Sequence, residues 1–177
     1  MTAVGWDVRH FATLPSTNDW LLERAREGAP AGLVAVADHQ SAGRGRMGRR
    51  WEAPAGSCLL VSVLLRPLAA VSELFACTAA AALETSDACR RLAGVEPDVK
   101  WPNDLVVGDA KVAGILAESD AGAPGGRAGS VAVVVGVGCN LDWSPPGATS
   151  LAAHARGPVG RDALLDALLE GLAARAG

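Results

Sequence analysis

The sequence predicts an α+β fold, with a mostly antiparallel or mixed central sheet flanked by helices. Three observations point there. The β-rich apolar runs are grouped rather than alternating strictly with helical stretches, which disfavours a doubly wound parallel sheet. Two of these runs, Asp104–Val107 and Lys111–Glu118, are joined through Gly108-Asp109, a hairpin signature. The 177 residues, 50% hydrophobic and 20% charged, suit one domain that buries roughly 70% of its unfolded surface. A disordered or coiled-coil chain is excluded by the same composition.

The elements follow in chain order. Asp7–Phe11 alternates weakly and reads as a short strand. Ser16-Thr17-Asn18 offers capping groups to an amphipathic helix over Asp19–Arg26, closed by Gly28 and Pro30. Leu33–Ala37 is a β-rich run, and a long Gly/Arg segment then covers Gln40 to Ser57. Leu59–Leu65 is a buried-strand candidate stopped by Pro67. Ser72–Leu92 is alanine-rich without Gly or Pro and reads as the long central helix. Val99–Trp101 leads through Pro102-Asn103 into the hairpin, and Asp120–Gly129 reads as a flexible surface loop. Val131–Val137 is the strongest strand and ends in Gly138-Cys139-Asn140. After Pro145-Pro146, Arg161–Arg175 forms a last amphipathic helix with leucines at 164, 165, 168, 169 and 172.

A net charge of −3 supplies no global positive field, so neither DNA nor an anionic membrane is an expected partner. The four cysteines contain no CxxC pair and the three histidines stand alone. Neither a zinc site nor a disulfide framework is indicated. The first ten residues, MTAVGWDVRH, carry charges where a signal peptide needs an apolar core, and a reducing cytoplasm is the expected compartment. Of sixteen basic residues fourteen are arginine; Lys100 and Lys111 are the exceptions. Against that background the two lysines suggest positions needing a compact point charge on a flexible stem.

Gly43-Arg44-Gly45-Arg46-Met47-Gly48 spells G-x-G-x-x-G, but Pro54 and Gly56 keep the following residues out of a helix. Leu59–Leu65 ends in Arg66 rather than in an acid, so a dinucleotide fold is rejected. What remains is a glycine-rich loop carrying Arg44, Arg46, Arg49 and Arg50, followed by Trp51. Arginine forks suit phosphate oxygens and an indole suits stacking on a purine. Alone, the loop reads equally well as a nonspecific RNA patch. The balance is tipped by Lys100-Trp101-Pro102-Asn103-Asp104 followed by Lys111 and Gly114. Both lysines fall here, expected on paired strands facing one pocket. Pro102 disturbs strand pairing and frees Asn103 and Asp104, and Gly114 within a strand signals close approach of something flat. The structural alternative is a Lys100–Asp104 ion pair holding a turn.

With these motifs in view, the chain resembles the catalytic domain of biotin protein ligases, within the biotin/lipoate ligase family. The resemblance is carried by Ser16-Thr17-Asn18, the run from Gln40 to Trp51, Lys100 to Asp104, Lys111 to Leu116, and Gly136 to Asn140. These five collinear motifs stand at the family's spacing, and the resemblance covers residues 10 to 142. It implies a class II aminoacyl-tRNA-synthetase-like catalytic fold and a two-step reaction. Biotin and ATP, with Mg²⁺ assisting, give biotinyl-5′-AMP and pyrophosphate; a lysine of a biotin carboxyl carrier protein then takes the biotinyl group and AMP leaves. No enzyme nucleophile is required, in keeping with the lack of any Ser/His/Asp or Cys/His arrangement.

Carried over, the resemblance places Ser16, Thr17, Asn18 and Gln40 at the biotin ureido ring, with Gly114 along the pocket. Arg44, Gly45 and Arg46 belong to the loop that holds the biotin carboxylate and phosphate, with Arg49 supporting. Trp51 is expected beside the adenine, Asn140 at its edge and Asn103 in the nucleotide site. Lys111 and Lys100 are expected to supply charge at the reacting groups, with Arg44 as a third catalytic residue; metal ligands are not identified. The loop is expected to be mobile without ligand and ordered by biotinyl-AMP. A single catalytic domain over 1–177 is expected, with no N-terminal helix-turn-helix and with the family's SH3-like C-terminal domain absent or truncated. A homodimer is compatible with the family. The competing readings are a lipoate or octanoate ligase, a binding module without transfer activity, and the RNA patch. Gln40 and the Ser-Thr-Asn set favour a polar ureido ring over a dithiolane.

Overall fold

The computed structural model describes residues 5–67, 72–124 and 131–176. One seven-stranded sheet is formed by β1 (Asp7–Leu14), β2 (Leu33–Gln40), β3 (Cys58–Leu65), β4 (Asp98–Lys100), β5 (Asp104–Val107), β6 (Ala110–Asp120) and β7 (Ala132–Asn140). Its spatial order is β1-β2-β3-β7-β6-β5-β4. β1 and β2 are parallel and every other neighbouring pair is antiparallel, which gives the mixed sheet expected. The helices are α1 (Thr17–Arg26), α2 (Ser72–Ala93) and α3 (Arg161–Ala176). The loop expected over Asp120–Gly129 lies outside the described residues from 125 onward.

The sheet has two unlike faces, and β7 shows why. Strand alternation sends Val133, Val135, Val137 and Cys139 to one side, into the main core with Val61, Ile115, Leu164 and Leu168. Ala132 and Val134 face the other side, where they pack with Leu21 and Ala25 of α1. Further along that second face come Gly136 and Gly138. Gly138 stands in register with Gly114 of β6, and Gly136 with Ser62 of β3. Small residues thus replace the apolar layer over this part of the second face, opening the hollow that becomes the site.

α1 starts where Ser16 Oγ accepts the Asp19 N–H, the capping anticipated from Ser16-Thr17-Asn18. Its C-terminal carbonyls are taken by Arg66, whose guanidinium donates to Ala25 O and Ala29 O and also reaches Ala123 O. α2 and α3 cover the main core and are joined at their exposed edges by Arg175–Glu84 and Arg91–Glu170 ion pairs. Trp6 is tied to α3 by a 3.0 Å bond from its indole N–H to Leu169 O. Cys58, Cys89 and Cys139 are buried thiols. The neighbouring Cys89 thiol and then burial hold Cys139 well above the ordinary thiol range, and burial pushes Cys58 up. Among the described residues no helix is long and apolar enough to cross a membrane.

Two expectations follow. Leu168→Ala empties a site that is 1% exposed, so its unfolding free energy should fall by about 2–5 kcal/mol, read as a lower urea midpoint at unchanged m. A methyl at Gly136 would overlap Asn18 Oδ1, whereas one at Gly157 meets nothing within 4 Å. Gly136→Ala should therefore cost about 1–3 kcal/mol in the same assay, and Gly157→Ala should leave the midpoint near that of the parent.

Candidate functional site

The parallel pairing of β1 and β2 sets Leu14 beside Gln40, so both strands end at one edge. From that edge β1 runs into Ser16-Thr17-Asn18 at the head of α1, and β2 runs into the glycine/arginine loop. This brings two motifs separated by more than twenty residues of sequence into direct contact. Thr17 donates to Gln40 Oε1 from both its backbone N–H, at 2.7 Å, and its hydroxyl, at 3.0 Å.

A continuous polar chain crosses the floor of the hollow. Ser62 Oγ donates to Asn18 Oδ1 at 2.6 Å and lies 2.7 Å from Thr17 Oγ1. Asn18 Nδ2 donates to Leu116 O at 3.1 Å and to Glu118 Oε2 at 2.8 Å, which satisfies the whole amide. Glu118 Oε2 also accepts from Arg44 at 2.7 Å, and the same arginine nitrogen reaches Asp19 Oδ1 at 2.5 Å. The buried part of this network, Thr17, Asn18 and Ser62, is held in a single orientation by its mutual bonds.

The Gly43–Trp51 segment folds back on itself as a small hairpin. Arg44 bridges Arg50, Gly45 N donates to Arg49 O at 2.7 Å, and Trp51 N donates to Gly43 O at 3.0 Å. Met47 (φ 58°) and Gly48 (φ 73°) place two successive left-handed residues at its tip. Arg46 extends from this hairpin to Asn103 Oδ1 at 3.1 Å. Asn103 in turn donates from Nδ2 to Ile115 O at 2.9 Å and accepts the Ile115 N–H on its backbone carbonyl. The Trp101–Pro102 peptide that precedes it is cis.

Trp51 lies flat over Gly138. A methyl built on Gly138 would sit 2.8 Å from its ring, and one on Gly114 would sit 3.4 Å from it and 2.8 Å from Lys111 Nζ. The nearest neighbour of Gly114 is the Lys111 side chain, with one edge carbon of Trp51 at ordinary contact distance; the flat indole face lies over Gly138. Its Nε1–H is buried and has no partner among the described residues. Lys111 Nζ stands 5.6 Å from the indole centroid and 2.7 Å from Asp104 Oδ1.

These groups enclose a cavity of about 310 Å³ lined by Ser16, Thr17, Asn18, Gln40, Arg44, Gly45, Arg46, Arg49, Trp51, Asn103, Lys111 and Gly114 among others. Its lining includes four arginines and one lysine but a single carboxylate, Asp104. Two candidates stand apart. Lys100 is exposed on edge strand β4 and does not line the cavity. β4 and β6 do not pair with each other, as the sequence suggested; each pairs with opposite sides of β5. Lys100 is in register with Asp104, yet the ion pair to that carboxylate comes from Lys111. Asn140 is 2% exposed and donates Nδ2 to Thr149 O at 2.8 Å. It faces a neighbouring recess shared with Arg50, Trp51 and Lys111. Three contributors escaped sequence reading: Asp19, Ser62 and Glu118. Ser62 had a signal, as the lone hydroxyl in the apolar run Leu59–Leu65.

The model of the biotin/lipoate A/B protein ligase family matches residues 10–140. The chain is 38% identical over 184 residues to the biotin–[acetyl-CoA-carboxylase] ligase of Mycobacterium tuberculosis, covering 97% of this chain and 65% of that protein. It is 34% identical over 142 residues to the bifunctional ligase/repressor BirA of Bacillus subtilis, covering 80% of this chain and 42% of that protein. It therefore spans less than two thirds of the length of these curated relatives. The biotin protein ligase of Aquifex aeolicus, solved in complex with biotin and ATP, superimposes with a TM-score of 0.77 at 26% identity, over 95% of this chain and 69% of that one. The chain belongs to the biotin/lipoate A/B protein ligase family.

Proposed function

We propose that this chain activates biotin with ATP and transfers the biotinyl group to a lysine of a biotin carboxyl carrier protein. The observation that carries the reading is the cavity's division between two kinds of lining group. One set is neutral and hydrogen-bonding, Ser16, Thr17, Asn18 and Gln40; the other is cationic, Arg44, Arg46, Arg49 and Lys111. A cyclic urea with an acidic tail meeting a polyphosphate matches that division, and M. tuberculosis and A. aeolicus relatives named for biotin or solved with biotin and ATP support it. A dithiolane or a plain alkyl chain would add no hydrogen bond to this floor, whereas a cyclic urea brings both a carbonyl acceptor and N–H donors to it. An RNA patch is disfavoured because the chain's net charge is −3 and supplies no general attraction to a polyanion.

In the first step a biotin carboxylate oxygen attacks the α-phosphorus. The new P–O bond forms as the bond to pyrophosphate breaks, giving the mixed anhydride. Negative charge gathers on the phosphate oxygens, and Lys111 with the loop arginines stabilises it while both substrates are held in reach. In the second step the carrier lysine amine attacks the biotinyl carbonyl, AMP leaves, and the amine proton is released. Neither step uses a nucleophile from this chain. Trp51 offers a stacking face to the base, and Asn103 steadies Arg46 beside the phosphates. Among the described residues no three His, Cys, Asp or Glu side chains gather as a metal cage. Mg²⁺ commonly keeps waters and one or two carboxylates while riding on substrate phosphates. Asp104, the carboxylate in the cavity lining, is ion-paired with Lys111 and would have to exchange that partner to hold an ion neutralising phosphate charge.

The deciding measurement is biotin-dependent ATP–pyrophosphate exchange, expected with biotin and absent with lipoate or octanoate. Exchange with lipoate but not biotin overturns the substrate, and biotin binding with the carrier left unmodified leaves only a binding module. Lys111→Ala should lower exchange by roughly 10²–10³-fold while the fold, followed by circular dichroism, is retained. Lys111→Arg should recover little, because Trp51, Asp104 and Gly114 crowd the ammonium and a planar fork does not fit there. Parental exchange in Lys111→Arg would show that charge alone suffices.

A further inference from the structure

We propose that Glu118, assisted by Asp19, is a positioning residue that aims Arg44 into the cavity and ties its placement to the pocket floor. The proposal rests on the functional reading above for its consequence in turnover, but its structural half stands independently. Arg44 belongs to a loop whose own hydrogen bonds are all main-chain and whose tip is exposed. Nothing within that loop directs the long arginine side chain. Two carboxylates from separate elements do so, Asp19 from the first turn of α1 and Glu118 from β6. Both bonds are donated by the same terminal nitrogen. Nε and the other terminal nitrogen thus keep their hydrogens for a ligand, and Arg44 still lines the cavity.

Glu118 arrives there by strand alternation, since Gly114, Leu116 and Glu118 share the site face of β6. One of its oxygens, Oε2, serves both Arg44 and Asn18. The floor amide and the loop cation therefore meet at a single atom, and a shift in either is felt by the other. With Arg44 39% and Glu118 25% exposed, the pair is only partly screened by solvent. The contribution expected is geometric, through orientation of the arginine, rather than through stability.

Glu118→Gln keeps an oxygen acceptor for Asn18 and removes the charge that holds Arg44. In exchange assays its kcat should fall about tenfold with the KM for biotin changed less than about threefold, the pattern of a contact that matters in the transition state. Glu118→Asp, which keeps the charge on a shorter arm, should recover part of the loss. In an Arg44→Ala background Glu118→Gln should add nothing further. Parental kcat in Glu118→Gln, or the same loss on top of Arg44→Ala, overturns the proposal. A second readout needs no activity: limited proteolysis without ligand should nick residues 46–50 several-fold faster in Glu118→Gln and in Asp19→Asn than in the parent. The Asp19 side chain is not among Asn18's hydrogen-bond partners, so Asp19→Asn serves if Glu118→Gln folds poorly. Unchanged nicking in Asp19→Asn overturns the clamp even if the parent lacks biotin-dependent exchange, an outcome that would overturn the functional reading instead.

Discussion

Everything at the site depends on two missing side chains in the middle of a strand. β7 carries a valine-rich face into the main core, which fixes the strand firmly between β3 and β6. Its opposite face carries Gly136 and Gly138, where any larger residue would strike Asn18 or Trp51. One strand thereby acts as a rigid core element and as the wall of a cavity. The constraint is steric and local: close packing on one side supplies the stability that the hollow on the other side cannot.

The polar groups placed in that hollow are handled in two different ways. Along the floor, hydroxyl, amide and carboxylate groups satisfy one another from Gln40 through Thr17, Ser62 and Asn18 to Glu118, which suits a surface that must keep its shape. Among the cavity's cationic groups and Trp51 the balance is left unfinished. Arginines outnumber carboxylates, and Trp51 retains a buried N–H without an acceptor. A buried donor without a partner costs about 1–3 kcal/mol, which an acceptor reaching that indole would recover.

The fold was largely legible because its signals are local. Period-two apolar runs, the Gly108 turn and the Ser16 cap each act within a few residues, and the observed strands differ mainly in length. Strand β2 runs on to Gln40 rather than stopping at Ala37 because tertiary pairing with Leu14 continues the ladder past the apolar run. The cavity residues were legible where they sit in distinctive loops, as with Arg44, Arg46 and Trp51. Lys100 was misplaced because adjacency in sequence to a hairpin does not reveal which strand lies between; β5 separates it from Lys111. Asn140 sits at a strand end, and nothing nearby in sequence announces that the Thr149 carbonyl will occupy its amide. Glu118 and Asp19 looked like ordinary solvated acids, since the partner that distinguishes them is 74 and 25 residues away.

The single parallel pair at one edge of the sheet has a consequence for how sequences of this type can vary in length. Because β1 and β2 finish side by side, the connection after β2 can lengthen or shorten at the Met47 tip without moving Gln40 against Thr17. An insertion within β1 is different in kind. A slip of one residue against β2 would turn every β1 side chain to the opposite face and carry the Ser16 cap and its helix with it. Indels should therefore be common across the hairpin tip and rare in the nine residues from Asp7 to Pro15 that form the strand and lead into the cap, so that the edge strand, though peripheral, sets the reading frame of the pocket.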